Sequence, residues 1–340
     1  VCMMKGGHEM QYVLGVDGGN TKTHYALFDI KGNAVAFAEA GTASHEQLPG
    51  GYDAMAEELK KQIDNLLDKS GLSMKDIGYS VLGLAGADVK KQYEEIRNRL
   101  YNIGFVGFGV YNDAFLGIKA GTEKGCGISS INGTGTSCVG IDRHGNWIQI
   151  GGCGYITGDY AGGGYVETAV IRAVYNSIFR CGEKTIMKKM LFGILGITRD
   201  ESLLDAVYEK IYTGEIKNDL ICKIAFEAAN RGDMPAAEIL CQMGTETARS
   251  VVGAYRYLDF SDEESIDVVM AGSVYTKGEN PILLETFKEK VSADIGCKVN
   301  FHLLQEPPVS GAVIWALEEM VGQVDNKTRH KIKEELTKML

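Results

Sequence analysis

Val13-Leu14-Gly15-Val16-Asp17-Gly18-Gly19-Asn20-Thr21-Lys22-Thr23-His24-Tyr25-Ala26-Leu27-Phe28-Asp29 is the stretch whose reading decides the fold. It reads as an apolar strand ending in Asp17, a tight turn at Gly18-Gly19, small polar donors at Asn20, Thr21 and Lys22, and a second apolar strand from Tyr25 to Phe28. Glycines turn the backbone with positive φ and leave its N–H groups bare, which suits a bound phosphate. An aspartate at the strand end beside such a turn suits a hydrated Mg²⁺ on that phosphate. An ordinary hairpin uses the same residues, because Asp-Gly and Gly-Asn favour primed turns. For this loop alone, both readings stay open.

A second copy separates them. Ile131 to Ile141 reads Ile-Asn-Gly-Thr-Gly-Thr-Ser-Cys-Val-Gly-Ile, again strand, Gly/Thr turn, strand. Each copy then enters the same closing turn, Asp29-Ile30-Lys31-Gly32-Asn33 and Asp142-Arg143-His144-Gly145-Asn146. A third apolar strand follows each, Ala34 to Ala38 and Trp147 to Ile150. A strand–turn–strand unit repeated a domain's length apart indicates a duplicated fold. Two such hairpins facing each other could grip a nucleotide's phosphates from both sides.

With 340 residues the chain has material for two cores, since single cores stop growing at about 250–300 residues. A net charge of −10 speaks against nucleic acid or an anionic membrane surface. No apolar run approaches the roughly 20 residues of a membrane span. The polar head, Val1 to Gln11, lacks a signal-peptide apolar region, so a cytoplasmic location is expected. Eight cysteines are scattered with no C-x-x-C pair and no zinc-like Cys/His spacing, and read as reduced thiols. Many of the 43 glycines fall in the motif loops, where close approach of backbone to a ligand would explain them.

Along the chain, the first three strands lead to a loop, Gly41 to Gly51, and a helix from Tyr52 to about Ser70 with Met55, Leu59, Ile63, Leu66 and Leu67 at helical spacing. A strand at Ile77–Leu84, a charged helix at Lys90–Leu100 and a strand at Phe108–Tyr111 follow. That strand delivers Asn112-Asp113 at its C-terminal end. The order predicts a mixed sheet with helical crossovers. A helix from Ala114 to Ala120 places the domain boundary near Gly117 to Gly125. Gly151 to Gly164 is a dense glycine run before a helix from Tyr165 to Phe179, a setting in which phosphates and sugars bind well. Helices fill Met187 to Leu258. A buried strand at Ile266–Ala271 ends in Gly272-Ser273-Val274, and a helix from Pro281, a strand at Cys297–Leu304 and two terminal helices complete the chain.

These residues resemble a known group. The two Gly/Thr hairpins, the strand-end Asp113 and the turn Val269-Met270-Ala271-Gly272-Ser273 are similar to the pattern of the actin, sugar-kinase and heat-shock-ATPase superfamily. Within it, Gly15-Val16-Asp17-Gly18-Gly19-Asn20-Thr21-Lys22, Tyr111-Asn112-Asp113-Ala114, Asn132-Gly133-Thr134-Gly135-Thr136-Ser137, Gly158-Asp159 and Pro308-Val309-Ser310-Gly311-Ala312 resemble the BadF/BadG/BcrA/BcrD-type ATPases, which include the N-acetylglucosamine kinases. The resemblance runs from about Tyr12 to Glu319. It implies an α/β fold of two ribonuclease H-like (actin-like ATPase) domains with a central cleft. The first domain would span about 10–117 and the second 118–310, with a helical insertion in the second and a helical segment, about 311–340, packing back on the first.

The resemblance also implies roles. Asp17 would orient Mg²⁺ through water, and Gly18, Gly19, Asn20, Thr21 and Lys22 would form the first phosphate loop. Gly133, Thr134, Gly135 and Thr136 would form the second, with Gly272 and Ser273 against adenosine and Ser310-Gly311-Ala312 nearby. Asp113 would be the catalytic base, taking the proton of the sugar 6-hydroxyl as it attacks the γ-phosphate. Ser44, His45 and Glu46, with Thr134, Gly152 and Asp159, would hold the sugar. ATP and Mg²⁺ are the implied cofactors, N-acetylglucosamine the implied acceptor, N-acetylglucosamine 6-phosphate the product, and a homodimer the expected assembly. Capping of the following helices remains an alternative for Asp113 and Asp159, and turn formation for Asp17.

The chain departs from the family pattern in two places. Tyr160-Ala161-Gly162 stands where the kinases commonly carry Glu-Gly-Ser, and Ser44-His45-Glu46 stands where they carry Asn and an aromatic. Both fall in the sugar pocket, so glucosamine or N-acetylmuramic acid are alternative acceptors. A different branch activates dehydratases or reductases through an iron–sulfur cluster bridging two subunits, for which Cys126, Cys138 and Cys153 are the nearest thiols. A non-catalytic sugar or nucleotide sensor is a third class.

Overall fold

The computed structural model describes residues 11–340 together with the backbone of residues 4, 5, 8 and 9. All but the last residue of the polar head read from sequence therefore lies outside the side chains described.

Ten strands form two five-stranded sheets of the same strand order. The first holds β1 (Tyr12–Gly18), β2 (Lys22–Asp29), β3 (Ala34–Gly41), β4 (Ile77–Leu84) and β5 (Phe108–Tyr111), in the order β3-β2-β1-β4-β5. The second holds β6 (Gly127–Asn132), β7 (Thr136–Ile141), β8 (Trp147–Gly151), β9 (Ser265–Ala271) and β10 (Lys298–Leu303), in the order β8-β7-β6-β9-β10. β1, β2 and β3 are antiparallel neighbours, while β4 and β5 add in parallel through helical crossovers. β9 and β10 are likewise parallel.

The duplication extends to the closing turns. Asp29 Oδ1 accepts the N–H groups of Lys31 and Asn33, at 2.8 and 2.9 Å. Asp142 Oδ1 accepts those of His144 and Asn146, both at 2.9 Å. Each is an aspartate holding its own backbone in a turn, the reason such residues recur between strands.

The helices are α1 (Gly51–Lys69), α2 (Lys90–Asn102), α3 (Ala114–Gly121), α4 (Gly162–Phe179), α5 (Met187–Leu195), α6 (Asn218–Asn230), α7 (Met234–Tyr257), α8 (Ser273–Lys277), α9 (Pro281–Asp294), α10 (Val309–Val321) and α11 (Asn326–Met339), with a four-residue turn at Leu203–Ala206. By its contacts the chain divides into two compact units, Val1–Ser129 with Gly140–Trp147 and Leu304–Leu340, and Ser130–Val139 with Ile148–Leu303. In the first unit, Met55, Leu59, Ile63, Leu66 and Leu67 of α1 bury against Leu14, Val16, Leu27 and Leu82 of the sheet. Burial of each such side chain contributes about 1.5–3 kcal/mol. On the same unit α10 runs close to β1, because a Cβ on Gly15 would sit 2.8 Å from the Val313 nitrogen. Among the described residues, no helix is long and apolar enough to cross a membrane.

Candidate active site

In the first unit, Asp17 lies one residue before the end of β1, with His24 opposite it on β2 and Gly83 opposite it on β4. The turn after it closes by the Gly19 N–H donating to the Lys22 carbonyl at 3.0 Å. The Gly18 carbonyl takes the Ala85 N–H at 2.7 Å, and the Gly19 carbonyl takes the Thr42 hydroxyl at 2.9 Å. Asp17 forms none of these bonds, so turn formation does not account for it. Asn20, Thr21 and Lys22 stand exposed at the tip. The Lys22 ammonium reaches sideways to Glu39 Oε2 at 3.1 Å.

Asp113 stands at the C-terminal end of β5, half-buried, and opens α3. Its side chain makes no capping hydrogen bond. That task falls to Asn112, whose Oδ1 accepts the Ala114 N–H at 3.0 Å. Burial, followed by the negative charges of Asp17 and Asp88, pushes the Asp113 carboxyl up to about 7. A half-buried carboxyl with a raised proton affinity, at a helix start capped by its neighbour, has the properties of a general base.

Ser44, His45 and Glu46 differ among themselves. Ser44 is buried, and its hydroxyl accepts the Glu46 N–H at 3.3 Å. The His45 ring stacks on Tyr52 at 4.1 Å between centroids, and Glu46 is exposed. Burial holds His45 below the usual imidazole range.

In the second unit, the Gly/Thr loop of Gly133, Thr134, Gly135 and Thr136 is docked on the start of α4. Gly163 donates to the Gly133 carbonyl at 2.8 Å, Gly164 donates to the Thr134 carbonyl at 3.1 Å, and Gly162 donates to Asn132 Oδ1 at 2.8 Å. This corrects the expectation that the helix start would itself serve phosphate or sugar. α4 begins at Gly162, three residues earlier than its apolar spacing indicates, and its first amides are spent on the loop. What α4 supplies is a fixed platform for the Gly/Thr loop. Gly272 has φ 101°, and a Cβ there would come within 3.0 Å of the Gly133 nitrogen. Its lack of a side chain lets the two loops meet. Beside them a pocket of about 570 Å³ is lined by Gly133, Thr134, Cys222, Phe226, Ser273 and Lys277 among others. Its size suits a nucleoside.

Asp159 does not cap α4. Its Oδ2 accepts the Gly152 N–H at 2.9 Å, the Gly154 N–H at 2.7 Å and the Thr157 hydroxyl at 2.9 Å. It braces the glycine loop between β8 and α4, with Oδ2 fully used. Ser310, Gly311 and Ala312 are buried in α10 of the first unit, where Gly311 packs on Leu116 and Ala120 of α3. The small residues there are explained by helix packing. Cys138 is buried and Cys153 exposed, and among the described residues no three His, Cys, Asp or Glu side chains gather as a metal group.

Sequence reasoning quoted Asn112 and Asn132 within motifs but gave neither of them, nor Asp88 or His24, a role. Asp88 Oδ1 accepts the Asn112 amide at 2.9 Å. The only signal for Asp88 was its place in Ala85-Gly86-Ala87-Asp88 after a buried strand, the same strand-end position as Asp17 and Asp113. His24 was legible as a period-2 partner of Lys22, but its facing strand-mates are a matter of register.

Two sheets of one strand order, each opened by a glycine hairpin, define the ribonuclease H-like, actin-like ATPase class of fold. The chain belongs to the BadF/BadG/BcrA/BcrD ATPase family, which it matches over residues 14–316. An N-acetylmuramic acid/N-acetylglucosamine kinase of Clostridium acetobutylicum is 27% identical over 317 residues, spanning 91% of this chain and 99% of that protein. An N-acetyl-D-glucosamine kinase of Dictyostelium discoideum is 25% identical over 289 residues, spanning 82% and 89%. Among solved structures, a Chromobacterium violaceum protein provisionally named an N-acetylglucosamine kinase superposes with a TM-score of 0.64 at 20% identity, covering 91% of this chain and 99% of that one.

Proposed function

We propose that the protein is an ATP-dependent kinase of an amino-sugar hydroxyl, with N-acetylglucosamine as acceptor and N-acetylglucosamine 6-phosphate as product. The observation that carries this reading is Asp113, a strand-end carboxyl of raised proton affinity beside an α3 start that Asn112 caps. In the reaction the sugar O6 attacks the γ-phosphorus, its proton passes to an Asp113 oxygen, and the bond from γ-phosphorus to the bridging oxygen breaks to release ADP. Phosphoryl transfer needs mainly positioning and charge neutralisation, so one well-placed carboxylate and two amide-rich loops suffice.

In this reading Gly18, Gly19, Asn20, Thr21 and Lys22 hold phosphate in the first unit, and Gly133, Thr134, Gly135 and Thr136 in the second. Gly272 and Ser273 border the adenosine pocket. Ser44, His45, Glu46, Thr134 and Gly152 are the proposed sugar-binding residues, and Asp159 has Oδ1 left for a sugar hydroxyl. Mg²⁺ fits the donor set, because Asp17 and Asp88 already raise the proton affinity of Asp113 and that excess negative charge welcomes a cation. Asp17 would hold the ion through water. Bound Mg²⁺ neutralises phosphate charge during transfer. Domain limits of 10–117 and 118–310, with 311–340 on the first, a homodimeric state and a cytoplasmic location belong to the same proposal.

The test is ADP release from Mg·ATP with N-acetylglucosamine, N-acetylmuramic acid, glucosamine, glucose and no sugar. A strong rise with N-acetylglucosamine supports the reading. The C. acetobutylicum relative, which carries both acceptors in its name, favours N-acetylmuramic acid as the second one to respond. Sugar-independent hydrolysis overturns the kinase.

A further inference from the structure

Three groups converge on the residue before Asp113. The Asn112 backbone N–H donates to the Tyr93 hydroxyl at 3.2 Å. Its amide donates to Asp88 Oδ1 at 2.9 Å. Its carbonyl oxygen accepts the Ala114 N–H at 3.0 Å, which satisfies one of the orphan donors at the start of α3. Asn112 is 5% exposed, so these bonds form out of water, where a lost partner is costly. Asp88 is itself fixed. Its N–H donates to Gln92 Oε1 at 3.0 Å, and Gly86 makes the turn before it with φ 81°.

We propose that Asp88 is a positioning residue for Asp113: by gripping the Asn112 amide it fixes Asn112 as the cap of α3 and keeps the Asp113 carboxyl available. An asparagine side chain has an acceptor end and a donor end. Asp88 binds only the donor end, so it also sets which way the amide points and thereby presents the carbonyl to Ala114. Without that grip, the amide is free to turn. The acceptor next in line for the α3 amides is then the Asp113 carboxylate, and a carboxylate drawn further onto the helix start is turned from the sugar hydroxyl and made less basic, since the Ala114 N–H lowers its proton affinity. The inference rests on Asp113 acting as the base in the reaction proposed above.

The test compares Asp88→Ala, Asp88→Asn and Asn112→Ala, each alone and combined with Asp113→Asn, in the full-length protein with Mg·ATP and the best acceptor sugar. Asp88→Ala is expected to lower kcat by about 10- to 100-fold, the scale of a misplaced catalytic group, with KM for ATP within about threefold. Asp88→Asn keeps an oxygen for the Asn112 amide and is expected to restore most of kcat. In the Asp113→Asn background, Asp88→Ala should cost nothing further, because residues acting through one group are not additive. A merely structural Asp88 would lower residual activity and melting temperature equally in both backgrounds.

Unchanged kcat in Asp88→Ala, a full loss persisting in Asp113→Asn, or no rescue by Asp88→Asn each overturns the proposal. Should Asp88→Ala fail to fold, Asn112→Ala carries the same comparison. The two readings fail separately. Normal turnover in Asp113→Asn removes the base and this inference with it, whereas a dead Asp113→Asn beside a fully active Asp88→Ala removes only this inference.

Discussion

Asp17 and His24 face each other across β1 and β2, with Asp17 Oδ2 3.8 Å from His24 Nδ1. On its other side His24 Nε2 is 2.9 Å from Glu39 Oε2, so the ring is buried between two carboxylates at one register position of three strands. The Asp17 carboxylate, with help from Glu39 and against the pull of burial, holds the His24 imidazolium above its ordinary range. A raised folded value means that this stability is fully present below the unfolded value of about 6.5 and is lost as pH rises through the folded one. Melting measured from about pH 6 to 9 should therefore fall in the wild type and stay flatter in His24→Gln. The difference at the acid end should be about 1–3 kcal/mol, the scale of hydrogen bonds to charged groups. Parallel curves would remove His24 from the pH response.

As the proposed base, Asp113 should impose its own pH dependence on turnover. A base must be ionised to accept a proton, and burial with the Asp17 and Asp88 charges pushes this one up to about 7. The kcat/KM profile, which reports the free enzyme, should rise with pH and level off above about 8. Asp113→Asn should retain ATP binding by calorimetry and lose about 10²- to 10⁴-fold in turnover, the usual contribution of a general base.

The same carboxyl should cost the fold stability at neutral pH. Its folded value of about 7 exceeds the unfolded one, so the native state binds the extra proton and stability falls as pH rises between the two. Asp113→Asn removes a charge that Asp17 and Asp88 repel. At pH above 7 it should be more stable than wild type by about 1–3 kcal/mol, and near pH 4 it should be equal. A denaturant titration at both pH values reads the sign directly. This is the pattern expected of a site whose strain serves chemistry.

How much of this was legible in the sequence depended on the range of the interaction. The duplicated hairpins, the strand-end aspartates and the spacing of α1 are local patterns, and each lies where the residues indicate. The bonds from Gly154 and Gly152 to Asp159 span five and seven residues, yet they were missed, because Gly152 and Gly154 contribute only backbone. The start of α4 was misplaced for a related reason. Gly162 to Gly164 have no side chains to show periodicity, and their helical state comes from bonds to Asn132, Gly133 and Thr134 some thirty residues away. Asp88 and Asn112 lie 24 positions apart and meet because β4 and β5 are adjacent in parallel. That pairing is a property of the sheet.

Gly162 tests the platform under the Gly/Thr loop proposed to hold phosphate. It has φ 82°, and a Cβ there would lie 2.6 Å from the Gly135 carbonyl carbon, a distance real Cβ atoms do not tolerate. Backbone offers no rotamer with which to yield, so Gly162→Ala must shift either the loop or the start of α4. A left-handed conformation in a residue with a Cβ adds its own strain, of about 1–3 kcal/mol. Loss of loop geometry should raise KM for ATP by about tenfold or more, since the N–H groups around the phosphates would no longer converge. The control is Gly193→Ala in α5, where a Cβ meets nothing within 4 Å. Alanine in a helix interior is favoured over glycine by about 0.5–1 kcal/mol, so this variant should melt slightly higher with KM unchanged. Equal behaviour of the two variants would mean that the contact between α4 and the loop does not govern nucleotide binding.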